Sequence, residues 1–95
     1  MNLPENQKLR LTSQQVSNPL GSGLVILNMH DGTYISLNEV GALLWQALQE
    51  QPKTVSELLA VLLDTYEVPV EIARADLTEF VDKLAAVKLI EVVDA

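Results

Sequence analysis

The chain has 95 residues and carries six Lys and Arg against thirteen Asp and Glu, a formal net charge of −7. A duplex DNA binder draws most of its affinity from Lys and Arg on phosphates, so an acidic chain with no basic cluster is not expected to take nucleic acid as a partner. Cysteine is absent, which excludes disulfide staples and thiolate metal sites and fits a cytoplasmic setting. Hydrophobic residues make up 48% of the chain, enough for one modest core and too many for a disordered segment. No apolar run approaches the ~20 residues that span a bilayer, and the N-terminus has no charged-then-apolar signal pattern. No membrane partner is expected, and residues 1–95 read as a single domain.

In chain order, residues 1–8 are polar, contain Pro4, and are expected to fray. Lys8 to Ser13 alternates Leu9 and Leu11 with Arg10 and Thr12, the pattern of a half-buried strand. Ser17-Asn18-Pro19 and Gly21-Ser22-Gly23 read as a loop of turn formers. Leu24 to Met29 is a short apolar run, expected as a central strand. Asp31-Gly32 has the chemistry of a two-residue hairpin turn, and Thr33 to Leu37 is β-branched and aromatic, as strands are. Asn38 then stands before a helical apolar pattern, in the position of an N-cap.

The second half predicts three helices. The first runs from about Glu39 to Glu50, with Val40, Leu43, Leu44, Ala47 and Leu48 on one face, and Pro52 ends it. Trp45 lies off that stripe and is expected to pack over the sheet rather than stack on a ligand. Thr54 and Glu57 form a capping box for a second helix with Val55, Leu58, Leu59, Leu62 and Tyr66 on its stripe. Pro69 suits the start of a third helix, which runs to about Val87 with a seam of Ala73, Leu77, Phe80, Leu84 and Val87, and Val81 alongside. Glu79 and Lys83 have the spacing of an i,i+4 ion pair on the opposite side. Residues 89–93 are expected to dock as an extended tail. Strands followed by a block of helices give an α+β fold: a winged helix-turn-helix-like outline, with an N-terminal three-stranded antiparallel sheet followed by a three-helix bundle.

No catalytic constellation stands out, and no metal site or cofactor is expected. His30, the only histidine, sits beside a turn. Glu67, Glu71, Asp76, Glu79 and Asp82 follow solvent-facing helix positions and read as a solvated face. The glycines at 21 and 23 lack the lysine and spacing of a phosphate loop. The chain reads as a non-enzyme.

Four segments together resemble the PqqD-like family of peptide recognition elements: TYISLN from strand to cap, GALLW in the first helix, TVSELLAVLLDTYEV in the second, and DLTEFVDKLAAVKLIE closing the third. The resemblance spans about residues 24–92 and is nearest to the stand-alone leader-binding proteins of lasso-peptide gene clusters. The pyrroloquinoline quinone chaperone branch usually carries a Pro-Glu-Gly-like element before its third strand, where this chain reads NMHDGTY; that chaperone role, serving a radical SAM enzyme, is kept as an alternative. The resemblance implies that the leader of a ribosomally made precursor peptide adds as an antiparallel strand beside the third strand, in a groove against helix three. It also implies a separate processing enzyme, a leader protease in the lasso setting.

The residues lead to a similar place. Thr33 to Leu37 closes a meander, so one edge should be free, and added strands bind through backbone hydrogen bonds and alternate side-chain pockets. Each such bond contributes only ~1 kcal/mol net, whereas sub-micromolar affinity needs over ~8 kcal/mol, so apolar anchors must contribute. The expected peptide-binding set is Thr33, Tyr34, Ile35, Ser36 and Leu37 from the strand and Leu77, Phe80, Val81 and Leu84 from helix three, with Arg74 and Lys83 at the rim for a leader carboxylate. The apolar helix residues are expected to be core more often than leader contacts, so the strand backbone is the firmer part of the set. A free edge can also pair with a second copy, so a homodimer is an alternative state of the unoccupied protein. Two rivals remain: a winged-helix DNA-binding regulator, which a third helix holding only Arg74 and Lys83 among acids argues against, and a docking subunit of an enzyme that takes no peptide substrate.

Overall fold

The computed structural model describes residues 6–93. Its elements are β1 (Lys8–Leu11), β2 (Gln15–Leu20), β3 (Gly23–Asn28), β4 (Tyr34–Leu37), α1 (Glu39–Glu50), β5 (Lys53–Thr54), α2 (Val55–Thr65), α3 (Val70–Ala86) and β6 (Ile90–Val92). They make two antiparallel sheets, ordered β2-β3-β4 and β5-β1-β6.

The α+β outline is as the pattern predicts, with a three-stranded sheet leading into three helices, but the sheet recruits a different first strand. The 17–19 stretch expected as a loop belongs to β2, which pairs with β3 along its whole length from Gln15 opposite Asn28 to Leu20 opposite Gly23. Pro19 is tolerated because it faces Leu24 at a position whose N–H would point away from β3. The register fixes this: the Met29 N–H donates to the Gln14 carbonyl, and hydrogen-bonded and non-bonded pairs alternate along antiparallel strands. The Lys8–Leu11 strand instead joins the second sheet, between β5 and the C-terminal tail. Part of the frayed-terminus expectation falls on residues 1–5, outside the described residues, while Lys8 itself opens β1 opposite Thr54. The tail docks as β6 beside β1.

The turns are also redistributed. The two-residue hairpin turn is Gly21-Ser22, with Gly21 at φ 61°, the arrangement of a type II′ turn. Gly32 does take a positive φ, 77°, but inside a longer loop: the Asn28 N–H donates to the Thr33 carbonyl and the Gly32 N–H to the Asn28 carbonyl, both at 2.8 Å. Asp31 braces this loop, accepting from the Thr33 N–H at 3.0 Å and its hydroxyl at 2.7 Å, and those bonds hold its carboxyl below the usual carboxylate range.

The helices form where their caps place them. The Asn38 side chain accepts from the Gly41 N–H, and Thr54 and Glu57 satisfy each other's backbone donors. α3 starts after Pro69 and ends in a Schellman motif, with the Leu89 N–H on the Leu84 carbonyl at 2.9 Å and the Lys88 N–H on the Ala85 carbonyl at 3.1 Å. The core lies between the inner face of β3 (Leu24, Ile26) and the buried faces of the helices, with Leu44, Leu58, Leu77 and Leu84 among its most enclosed side chains. Trp45 is fully buried and central to this core, whereas Val40 and Leu43 of the expected stripe are only half-buried.

Candidate functional site

β4 lies at the edge of its sheet: among the described residues it pairs with β3 and with no other strand. Which of its backbone groups are open follows from the register. The Thr33 carbonyl accepts from the Asn28 N–H, so by alternation Ile35 and Leu37 also turn their N–H and C=O toward β3, and Tyr34 and Ser36 turn theirs outward. The outward row is therefore Tyr34 and Ser36. The side chains alternate as well: Ile35 and Leu37 face inward, and Tyr34 and Ser36 are exposed on the outer face, Tyr34 at 70%.

The opposite edge of the same sheet has a different character. On β2 the outward positions are Gln15, Ser17 and Pro19, and a proline offers no donor there, which blunts an edge against pairing. Of the two edges, β4 alone has an N–H at every outward position.

α3 flanks the β4 edge. Where β4 runs into α1, a recess of about 80 Å³ lies against α3, bounded by Leu37, Asn38, Val40, Gly41, Asp76, Glu79, Phe80 and Lys83. Its floor is apolar, from Leu37 at 7% exposure and Phe80 at 5%, and its α3 rim carries Asp76, Glu79 and Lys83. The Lys83 ammonium spans the gap and donates to the Ser36 carbonyl at 2.9 Å. The i,i+4 pair with Glu79 that the spacing predicts is not the contact Lys83 makes.

The backbone also sets how closely β4 meets its surroundings. A Cβ on Gly23 would stand 2.0 Å from the Leu37 carbonyl oxygen, so only glycine lets β3 begin where β4 ends.

The expected site residues thus divide. Tyr34 to Leu37 form the edge strand, whereas Thr33 lies just before it with its N–H on Asp31 and its carbonyl on Asn28; Leu37, Phe80 and Lys83 line the recess. Leu77, Val81 and Leu84 are in the core, each at 1% exposure or less, and do not line the recess. Arg74 is not brought to the groove: with Glu71, Ala75, Thr78 and Asp82 it borders the outer face of α3. Sequence reasoning missed Asn38, Val40 and Gly41, which it used only to start α1, and Asp76 and Glu79, which it read as solvated acids. Their signal was the 3–4 residue spacing of Asp76, Glu79, Phe80 and Lys83, which puts one stripe beside the core seam.

Among the described residues, no three His, Asp or Glu side chains gather as metal ligands, and no helix is long and apolar enough to cross a membrane.

An edge strand beside a long helix, with a small recess where the strand runs into the first helix, defines the class of α+β domain to which this fold belongs. The chain belongs to the PqqD family: the family model for coenzyme PQQ synthesis protein D matches residues 23–90. Two solved structures are similar to it. One is TbiB1 in complex with the TbiA(beta) leader peptide, at 28% identity and a TM-score of 0.77, covering 90% of this chain and 99% of that one. Another is a lasso peptide synthetase B1 complexed with the leader peptide, at 25% identity and a TM-score of 0.72, covering 87% of this chain and 96% of that one. No match was found among curated proteins.

Proposed function

We propose that this chain is a non-catalytic recognition module of lasso-peptide biosynthesis. It binds the leader of a precursor peptide as a strand added to β4 and delivers it to a separate processing enzyme, a leader protease. The observation that carries the reading is the outward row at Tyr34 and Ser36, whose Ser36 carbonyl meets Lys83 of α3 beside a recess with an apolar floor at the end of β4. The two similar structures, each described as a complex with a leader peptide, support the same occupant.

The energetics suit a tether. Tyr34 and Ser36 each offer one N–H and one C=O, and at ~1 kcal/mol per bond these fall short of the ~8 kcal/mol of micromolar binding. Leu37, Val40 and Phe80 supply the remaining affinity by taking an apolar leader side chain into the recess, with Ile35, Leu77, Val81 and Leu84 holding that floor in place. Capture then raises the leader's local concentration at the partner enzyme, a role that asks for no catalytic group on this chain.

The test is a titration of the leader encoded in the same gene neighbourhood, followed by calorimetry or fluorescence polarisation. Saturable binding with strand-type chemical-shift changes confined to residues 33–37 and the α3 face at 76–83 is expected. No saturation below about 100 μM, roughly 5.5 kcal/mol, overturns the reading.

A further inference from the structure

We propose that Lys83 is a movable guard on the β4 edge, closed on the Ser36 carbonyl in the empty protein and released to Glu79 when a strand docks. The inference rests on the recognition reading above and specifies how its edge is kept unpaired.

The contact sits at the one place where it matters. The Ser36 carbonyl belongs to the outward row, so it is an acceptor that any incoming strand must use. The Lys83 ammonium occupies it at 2.9 Å. The lysine's origin is fixed, because its neighbours Phe80 and Leu84 are buried and anchor that turn of α3, but its side chain is exposed and free to rotate. The two edges of the sheet are therefore closed by different means. Pro19 removes a donor from β2 permanently, and Lys83 covers an acceptor of β4 reversibly. Lysines placed on edge strands are a common defence against unwanted pairing; here the lysine comes from a neighbouring helix, so it can leave without disturbing the strand.

Glu79 gives the released ammonium a destination. It stands one turn back from Lys83 on the rim of the same recess, at the i−4 spacing that favours a Glu–Lys pair. The two contacts are alternatives for one ammonium group. Side-chain rotation takes nanoseconds or less, far faster than protein association, so the guard acts on the equilibrium: the apparent Kd is the intrinsic one divided by the open fraction.

The experiment uses the full chain and three variants, Lys83→Met, Glu79→Gln and the double substitution. Methionine keeps the apolar stem and removes the ammonium. Without any peptide, the Ser36 carbonyl carbon resonance is expected to move in Lys83→Met; no movement overturns the guard. With a fluorescein-labelled leader from the same gene neighbourhood, Lys83→Met is expected to bind roughly threefold to tenfold more tightly. Glu79→Gln is expected to bind more weakly, and to have no effect in the Lys83→Met background because it acts through the ammonium. Unchanged or weaker binding by Lys83→Met, or an equal effect of Glu79→Gln in both backgrounds, overturns the proposal. If neither the native chain nor Lys83→Met binds any leader while the Ser36 resonance still moves, the recognition reading fails and the guard stands as a block on self-pairing. Sedimentation of Lys83→Met then shows a concentration-dependent dimer that the native chain lacks.

Discussion

Asn28, at the end of β3, is bound to Val87, at the end of α3. Its Nδ2 donates to the Val87 carbonyl at 3.0 Å, and its Oδ1 accepts from the His30 N–H at 3.0 Å. At 6% exposure it is the buried polar side chain of the hairpin. The bond joins the strand hairpin to the helix that flanks it, so it fixes the spacing of the two walls of the β4 groove from one end.

Asn28→Ala leaves both partners without a side-chain contact. The expected cost is about 1–3 kcal/mol, read as a lower urea midpoint with an unchanged m-value. Because the groove walls then move independently, leader affinity is expected to fall as well, measured under conditions where the variant is still folded.

The α3 terminus carries a removable strain. Lys88 sits at φ 61°, a left-handed conformation that costs a side-chain-bearing residue roughly 1 kcal/mol and that glycine adopts freely at this point of a Schellman motif. Lys88→Gly is therefore expected to raise stability, less the extra backbone entropy that glycine brings to the unfolded chain. Thermal unfolding checks it; a lower midpoint contradicts the account.

Proline scanning separates the two faces of the β4 backbone. Ile35 turns its N–H into the ladder with β3, so Ile35→Pro removes a sheet hydrogen bond and is expected to unfold or severely weaken the sheet. Tyr34 turns its N–H outward and opens the strand, a position where proline is tolerated. Tyr34→Pro is expected to keep the native circular dichroism and to bind leader about fivefold or more weakly, the loss of one bond of ~1 kcal/mol.

Acid should loosen the start of α2 and the β3–β4 loop. The backbone N–H of Thr54 holds the Glu57 carboxyl below its ordinary value of 4.5, and Thr33 holds Asp31 below 3.8. Depressed folded-state values mean stability that is complete above the unfolded values and is lost as pH falls through the folded ones. A thermal midpoint flat from pH 7 to about 5 and declining below about 4.5 is expected, and Thr54→Ala should flatten part of that decline. An unaltered slope in that variant contradicts the link to the capping box.

Gly23→Ala tests the closeness of β3 to the end of β4. The added Cβ meets backbone, the Leu37 carbonyl at 2.0 Å, and backbone cannot rotate away. A loss of about 1–3 kcal/mol is expected, with amide shifts centred on residues 36–38 in the NMR spectrum.

Much of this architecture is local chemistry that can be read in one dimension. The Asn38 cap, the Thr54–Glu57 box and the α3 seam of Ala73, Leu77, Phe80, Val81 and Leu84 stand where their spacing puts them. The errors fall where a residue's neighbours in space outrank its neighbours in sequence. Ser17-Asn18-Pro19 has turn chemistry, yet β3 supplies a full partner and leaves Pro19 on the bond-free side. Asp31-Gly32 does lie in the connection from β3 to β4, yet not as a two-residue turn: the loop is longer and is closed by Asn28 and Thr33. Arg74 and Lys83 share one helix, but nine residues of helical rotation send them to different faces, so only Lys83 meets the groove.

The amino-acid sequence by itself determined the three helices, the strands that begin at Lys8, Leu24 and Thr33 to within a residue or so, and the Asn38 and Thr54 caps, because propensity, capping and hydrophobic period act over a few residues. Tertiary structure alone decided which strands share a sheet, which backbone groups of β4 face outward, and that Lys83 takes the Ser36 carbonyl instead of Glu79. Those outcomes depend on strand register and on helix rotation, which are set by packing between segments far apart in the chain.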